Sequence, residues 1–251
     1  MEGLRWVEEM SAAADPLAKV AIVTAASRGI GAACARALHA RGYRLALMSR
    51  TPAIQVIAKE LGAVAIEGSV SKAADLAKLV KTAQTRYGRI DAVVNSSGDP
   101  EAGQITEIPD EQWQEVFEMY FLSIVRMSRL VVPFMEAQGG GALVNITGAS
   151  ALEPDMRFPV ADTIRASMTA YAKLFAKTYA EKKIRMNNVA PSVVFDHDPA
   201  AVPARLKREL PIRRPAQCVE VANAVVFLLS DEASYISGET LKVDAAQTRG
   251  L

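Results

Sequence analysis

The chain has 251 residues, of which half are apolar and 23% are charged, and its formal net charge is +1. These values are typical of a globular protein with one large core, and they exclude both a disordered chain and a basic nucleic-acid-binding surface. No apolar run approaches the roughly 20 residues that span a bilayer, so we expect no membrane partner.

Residues 1–17 differ from the sequence that follows and predict an N-terminal arm. They contain several acidic residues and no apolar stretch of the kind found in a secretory signal. Two cysteines, Cys34 and Cys218, are too few to form a disulfide framework. We therefore expect a cytoplasmic protein whose single domain covers residues 18–251.

Short apolar runs alternate with amphipathic segments from residue 19 onward, and this alternation predicts strands separated by helices. Strands are expected at residues 20–24, 45–48, 64–66, 90–94, 142–146, 184–189 and 240–243. Helices are expected at residues 29–40, 54–61, 72–87, 109–138, 159–182 and 219–229. Strands without polar alternation indicate a parallel sheet covered on both faces, so the sequence predicts a doubly wound α/β domain.

The turn after the first strand, residues 24–31, has the sequence TAASRGIG and leads into a helix. In such a turn, backbone N–H groups and the helix dipole meet where a pyrophosphate can bind. A Gly-x-Gly pair alone is weak support for a nucleotide site. Three further segments accompany it at the expected distances: NSSG at 95–98, NNVAP at 187–191 and FLLSDEASYISG at 227–238.

Together these segments closely resemble the short-chain dehydrogenase/reductase family, and most of all its 3-oxoacyl-carrier-protein reductase-like members, over residues 18–248. The resemblance implies a Rossmann-type sheet of about seven strands in the order 3-2-1-4-5-6-7. It also implies NAD(P)(H)-dependent carbonyl reduction or alcohol oxidation, and a homotetramer or homodimer. An assembly with an active paralogue is a further possibility, because some members of the family combine active and inactive subunits.

The resemblance also identifies the residues expected to contact the cofactor. They are Thr24, Ser27, Arg28, Ile30, Ser49, Arg50, Ser69, Val70, Asn95, Ser97, Gly98, Arg165, Pro191 and Val194. A site selective for NAD normally has a carboxylate at the end of the second strand, where this chain has Ser49-Arg50. Arg50 and Arg28 suit a 2′-phosphate, so NADP(H) is favoured over NAD(H).

Several residues depart from the family pattern around the cofactor. Ala25 replaces the first glycine of the turn, where a side chain requires an unfavourable φ, and Ser192 replaces the glycine after Pro191. Asp196 would bring a negative charge near the nicotinamide side. Cofactor binding therefore stays a hypothesis that only a measurement decides.

The catalytic positions of the family hold other residues in this chain. Gapless matching places Gly148 at the serine, Ala161 at the tyrosine, Arg165 at the lysine and Tyr120 at the asparagine. In the family the tyrosine exchanges the substrate proton, the lysine lowers its pKa, and the serine polarises the carbonyl. Gly148, Ala161 and Arg165 cannot donate a proton near neutral pH. The sequence thus predicts an oxidoreductase fold in which ordinary carbonyl reduction is lost or altered.

Three alternatives stay open. The first is an active reductase with a relocated acid, which would be Tyr120, Thr147 or Ser150 acting with Arg165. The second is a non-catalytic nucleotide-binding or partner subunit. The third is lyase- or dehalogenase-type chemistry, which ranks low because relatives with that activity retain the serine and tyrosine. Residues 196–198, Asp-His-Asp, are interpreted as a solvated loop, and no metal site is predicted.

Overall fold

The computed structural model describes residues 18–98, 102–195 and 202–250. The predicted arm at residues 1–17 and the Asp-His-Asp segment at 196–198 lie outside the described residues. Among the residues within these ranges, no helix is both long and apolar enough to cross a membrane.

The described chain alternates strands and helices as the sequence predicts. The strands are β1 (Val20–Thr24), β2 (Arg44–Ser49), β3 (Val64–Glu67), β4 (Ala92–Asn95), β5 (Gly141–Ile146), β6 (Ile184–Pro191) and β7 (Thr240–Val243). The helices are α1 (Gly29–Ala40), α2 (Ile54–Glu60), α3 (Ala73–Tyr87), α4 (Asp110–Phe117), α5 (Ser123–Ala137), α6 (Pro159–Tyr179), α7 (Ala204–Glu209) and α8 (Cys218–Leu229). The short helix α7 was not predicted.

The seven strands form one parallel sheet in the order β3-β2-β1-β4-β5-β6-β7, which confirms the predicted topology. Its central strands are buried on both faces because helices cover each side. On one face Met48 and Leu143 belong to a core formed with α3, α5 and α6. On the other face Val23 and Val144 belong to a core formed with α1, α2 and α8. The reversal of strand order between β1 and β4 leaves a crevice at the carboxyl ends of the strands.

The long helix predicted at 109–138 is interrupted. Helices α4 and α5 are joined by one turn of π-helix over Glu118–Leu122, and the Ser123 N–H donates to the carbonyl of Glu118, five residues earlier. A π-turn adds one residue to a helix, and such turns are frequent at functional sites. The turn contains the buried Tyr120, which thereby points toward the crevice end of the sheet.

A row of polar side chains crosses the sheet from β4 to β7. Asn95, Asn145, Asn188 and Thr240 lie in register on β4, β5, β6 and β7. Each amide donates to the next side chain, with distances of 2.8, 2.9 and 3.1 Å. The three asparagines are buried, so each lost bond would leave a polar group without water. This amide ladder ties four strands together beneath the crevice.

Candidate functional site

A cleft of about 1320 Å³ opens at the carboxyl ends of the strands. Twelve of the fourteen residues predicted to contact a cofactor line it: Ser27, Arg28, Ile30, Ser49, Arg50, Ser69, Val70, Ser97, Gly98, Arg165, Pro191 and Val194. The other two, Thr24 and Asn95, line a small cavity next to it. The Thr24 hydroxyl accepts from the Ser96 N–H (2.9 Å) and donates to the Ser96 carbonyl (2.6 Å), so it shapes the turn after β4.

The glycine-containing turn keeps a left-handed residue although it lacks the first glycine. Ala25 has a φ of 49°, as the sequence predicts for a non-glycine residue at this position. The conformation costs about 1 to 2 kcal/mol for a residue with a Cβ. Gly31 packs so closely that a Cβ there would lie 2.3 Å from the Ala25 carbonyl oxygen. The turn therefore retains the close backbone approach that a pyrophosphate site requires.

Positive charge lines the same end of the cleft. Arg28 and Arg50 are exposed, and within the described part of the chain no carboxylate pairs with either guanidinium group. Between them, the Ser49 hydroxyl donates to the Ser27 hydroxyl at 2.7 Å. Two unpaired guanidinium groups beside two hydroxyl groups form a suitable environment for a phosphate monoester.

The three catalytic positions are rearranged around Arg165. Ala161 is 1% exposed and belongs to the core, and it does not line the cleft. Gly148 does line the cleft, with an extended backbone (φ −173°) that any residue adopts. The Arg165 guanidinium faces it, because a Cβ on Gly148 would lie 3.2 Å from Arg165 Nη1. The arginine head thus occupies space beside the position of the missing serine side chain.

Tyr120 and Arg165 are in direct contact. Arg165 Nη2 donates to the phenol oxygen at 3.0 Å, and the guanidinium also lies over the ring, 5.0 Å from its centroid. The phenol in turn donates to the carbonyl of Gly98 at 2.8 Å. The proton that Tyr120 would have to transfer is therefore engaged with a backbone carbonyl.

The two hydroxyl groups beside Gly148 differ in their availability. Thr147 is buried, and its hydroxyl donates to the carbonyl of Val189 at 3.2 Å. The Ser150 hydroxyl lies 3.3 Å from the point that a Cβ on Gly148 would take. No other described residue forms a hydrogen bond with it. Ser150 is therefore the more available hydroxyl at this end of the cleft.

Asp162, on α6 three residues before Arg165, is a neighbour of the site that the predicted site residues did not include. It is 2% exposed, and its Oδ2 accepts from the Asp155 N–H at 2.8 Å. Its Oδ1 lies 3.7 Å from Arg165 Nη1 and has no hydrogen-bond partner among the described residues. The i,i+3 spacing of an aspartate and an arginine on one helix was the signal that would have found this pair.

Both cysteines are buried, and neither forms a disulfide. Cys218 lies at the start of α8 and lines the cleft, whereas Cys34 lies within α1. Burial, with a smaller contribution from the neighbouring Cys218, raises the pKa of the Cys34 thiol to about 12. In the described ranges no three side chains of His, Cys, Asp or Glu gather as metal ligands do.

Comparison with known proteins identifies similar sequences over nearly the whole chain. A family model described as Enoyl-(Acyl carrier protein) reductase matches residues 24–247. Dehydrogenase/reductase SDR family member 4 of Homo sapiens is 33% identical over 246 residues, which cover 91% of this chain and 87% of the relative. The 3-oxoacyl-(acyl-carrier-protein) reductase FabG of Escherichia coli is 30% identical over 236 residues, covering 90% and 96%.

Solved structures agree with these sequence matches. L-sorbose reductase from Gluconobacter frateurii, crystallised with NADPH and L-sorbose, superposes with a TM-score of 0.85 at 27% identity. The alignment covers 93% of this chain and 98% of that one. Acetoin dehydrogenase YohF from Salmonella typhimurium gives a TM-score of 0.84 at 28% identity, covering 92% and 97%.

Proposed function

Because the chain belongs to the short-chain dehydrogenase/reductase family, we propose that it is an NADP(H)-binding member that has lost the proton-transfer chemistry of a carbonyl reductase. The observation that supports this most directly is the position of Ala161, buried in the core where the family has its tyrosine. Arg165 cannot replace the acid, because a guanidinium does not release its proton near neutral pH. Losing a general acid typically lowers a rate by 10²- to 10⁴-fold.

The described residues fit a nucleotide. The turn before α1 keeps its left-handed conformation and its close packing at Gly31, and a Cβ on Gly29 would meet no atom within 4 Å, which suits a pyrophosphate at the helix N-terminus. Arg28 and Arg50 would hold a 2′-phosphate, with Ser27 and Ser49 beside it. A bound nicotinamide cofactor would supply hydride chemistry, whereas the residues of this chain would bind and orient it.

Titration with NADPH and NADH tests the nucleotide part of the proposal. NADPH should bind more tightly than NADH, and Arg28→Ala with Arg50→Ala should weaken NADPH by about 10- to 100-fold per guanidinium contact while hardly changing NADH. Arg41→Ala serves as the control, since this exposed arginine follows α1 and does not line the cleft. No binding of either nucleotide at millimolar concentration would refute this part of the proposal.

A carbonyl panel tests the catalytic part. We expect no NADPH oxidation above background with ketones and aldehydes, whereas ordinary enzymes turn over at about 1 to 10³ s⁻¹. The triple variant Gly148→Ser, Ala161→Tyr, Arg165→Lys restores the family residues and should give measurable reduction if the cleft still orders the cofactor. Turnover by the wild type in the ordinary range would contradict the proposed loss of activity.

A second candidate function is residual reduction with Tyr120 as the acid. The 3.0 Å contact between Arg165 Nη2 and the phenol oxygen favours it, since a nearby cation stabilises a phenolate. The bond from the phenol to the Gly98 carbonyl opposes it. Tyr120→Phe distinguishes the two: it should abolish any residual turnover if Tyr120 is the acid, and leave turnover unchanged if background reactions are responsible.

The proposed assembly is a homodimer or homotetramer. Apolar side chains remain on α4 and α6, where Phe117 is 40% and Leu174 is 65% exposed. Phe117 stacks on Phe121, which meets the edge of Tyr171, so one continuous aromatic surface joins the two helices. Light scattering after size exclusion should give an oligomer for the wild type and a smaller species for Leu174→Glu. A monomeric wild type would contradict the assembly.

A further inference from the structure

We propose that Arg165, Ser150 and the open space at Gly148 bind the carboxylate of a small monocarboxylic acid at the inner end of the cleft. This inference rests on the proposed loss of the family's proton donors, because it assigns a new class of ligand to the part of the cleft where the family has its serine and tyrosine. It concerns binding in the cleft and does not require hydride transfer.

The first argument is that the altered positions are coupled in space. A Cβ on Gly148 would lie 3.2 Å from Arg165 Nη1, closer than side chains normally pack, and 3.4 Å from Cζ. A serine at this position would compete with the guanidinium, whereas glycine leaves it room. Ala161, buried in the core, places no side chain in the cleft. Gly148 and Arg165 are therefore parts of one rearrangement that puts a guanidinium where the family has hydroxyl groups.

The second argument is that two donors converge on the space that Gly148 leaves open. Arg165 Nη1 and Ser150 Oγ lie 3.2 and 3.3 Å from the point that a Cβ would take, on residues that line the cleft. Nη2 is engaged with Tyr120, whereas among the described carboxylates only Asp162 Oδ1 lies within 4 Å of Nη1, at 3.7 Å, beyond hydrogen-bond distance. An anionic oxygen entering from the cleft would contact both donors, and charge-assisted bonds of this kind are the strong ones.

The third argument concerns the charge of the ligand. Asp155 is paired with Arg157, and Glu153 accepts from the Arg249 N–H, so neither competes directly for Arg165. Asp162, 3.7 Å behind the guanidinium, offsets part of its charge and would repel a dianion more strongly than a monoanion. Glu115 also lines the cleft and adds to this repulsion. The site is therefore suited to a singly charged carboxylate rather than to phosphate.

Calorimetric titration with butyrate, and with 2-pentanone as its neutral analogue, tests the assignment. The nucleotide-free protein should bind butyrate at least tenfold more tightly than 2-pentanone, and more tightly than inorganic phosphate. Arg165→Met should weaken butyrate by about 10- to 100-fold, and Ser150→Ala by a smaller factor. Arg165→Lys should recover only part of the loss, since lysine lacks the planar fork.

Lys72→Met is the matched control, because Lys72 is an exposed cation that also lines the cleft. It should bind butyrate as the wild type does. Equal affinities for butyrate and 2-pentanone, or tighter binding of phosphate, would overturn the proposal, and so would full affinity in Arg165→Met. Ser150→Ala and Arg165→Lys keep the test decisive if the methionine variant unfolds. The NADPH titration is a separate measurement, so failure of nucleotide binding and failure of acid binding are distinguishable.

Discussion

The contact between Gly148 and Arg165 predicts that the effect of Gly148→Ala on the free energy of unfolding changes sign when Arg165 is replaced. Gly148 has an extended backbone that alanine adopts without strain. Gly148→Ala should therefore stabilise the fold by about 0.4 to 1 kcal/mol through the unfolded state, provided that its Cβ has room. In the wild type Nη1 lies 3.2 Å from that Cβ, so the guanidinium would have to shift by a few tenths of an ångström away from its contact with Tyr120.

The expected change in the free energy of unfolding is the difference between the gain through the unfolded state and the cost of the close contact with Arg165. Displacing the hydrogen-bonded guanidinium, like overpacking in a core, costs about 1 to 3 kcal/mol, so Gly148→Ala in the wild type should lower the free energy of unfolding by up to about 2.5 kcal/mol. In an Arg165→Met background the guanidinium is gone and the flexible methionine can move aside. There the same Gly148→Ala change should raise the free energy of unfolding by about 0.4 to 1 kcal/mol. The expected coupling is about 1 to 3 kcal/mol, which is large for a neighbouring pair.

Urea unfolding of the four proteins of this cycle measures the coupling, with unchanged m-values as the sign that the unfolded state is comparable. Gly31→Ala provides the contrast, since its Cβ would lie 2.3 Å from a backbone carbonyl and should destabilise regardless of residue 165. The changes in the free energy of unfolding caused by Gly148→Ala and by Arg165→Met should not be additive. If they add within about 0.5 kcal/mol, the two positions do not form one rearrangement.

Three further predictions concern the rest of the fold. Arg214 and the helix start hold the pKa of Glu220 at about 2, below its ordinary value of 4.5. The ionised carboxylate thus stabilises the fold fully above pH 4.5, by at most about 1 kcal/mol for a partly exposed pair. This contribution should disappear as the pH falls toward 2. A pH dependence of the free energy of unfolding that Glu220→Gln leaves unchanged would contradict this expectation. Cys34, whose thiol pKa is raised to about 12, should resist a thiol reagent at pH 8 until urea unfolds the protein, and Cys34→Ala should lose one thiol from that late signal. Asn145→Ala should lower the free energy of unfolding by about 2 to 4 kcal/mol, because it leaves the buried Asn95 donor and the buried Asn188 acceptor unpaired. A loss below about 1 kcal/mol in urea unfolding would argue against the amide ladder.

The sequence predicted the fold well because the strands are apolar on both faces and the turns between them contain clear signals. Seven strands and their order follow from patterns that are local or shared with the family. The approach of Tyr120 to Arg165 was also predictable, since both occupy family positions near the site. The direction in which the Tyr120 hydroxyl donates, to Gly98, depends on a loop conformation that no local pattern specifies.

Other features required the three-dimensional arrangement. Asp162 points away from the cleft by helical angle alone, but the long side chain of Arg165 reaches back toward it. The amide ladder depends on strand register, so Asn95, Asn145 and Asn188 were visible in the sequence only as separate strand ends. The contacts of the amide ladder are set by strand register, whereas the Asp162–Arg165 contact also follows the i,i+3 spacing on one helix.

The π-turn at Glu118–Leu122 means that the orientation of Tyr120 depends on the length of the chain as well as on its composition. Removing Phe121 or Leu122, which follow Tyr120 in this turn, would let α4 and α5 merge into a single regular helix. The part before the deletion would then rotate by about 100° and move by about 1.5 Å relative to the part after it. A deletion would thus turn a different side chain toward Arg165 without replacing a single residue. The extra residue of the π-turn therefore determines which side chain of this helix faces the cleft.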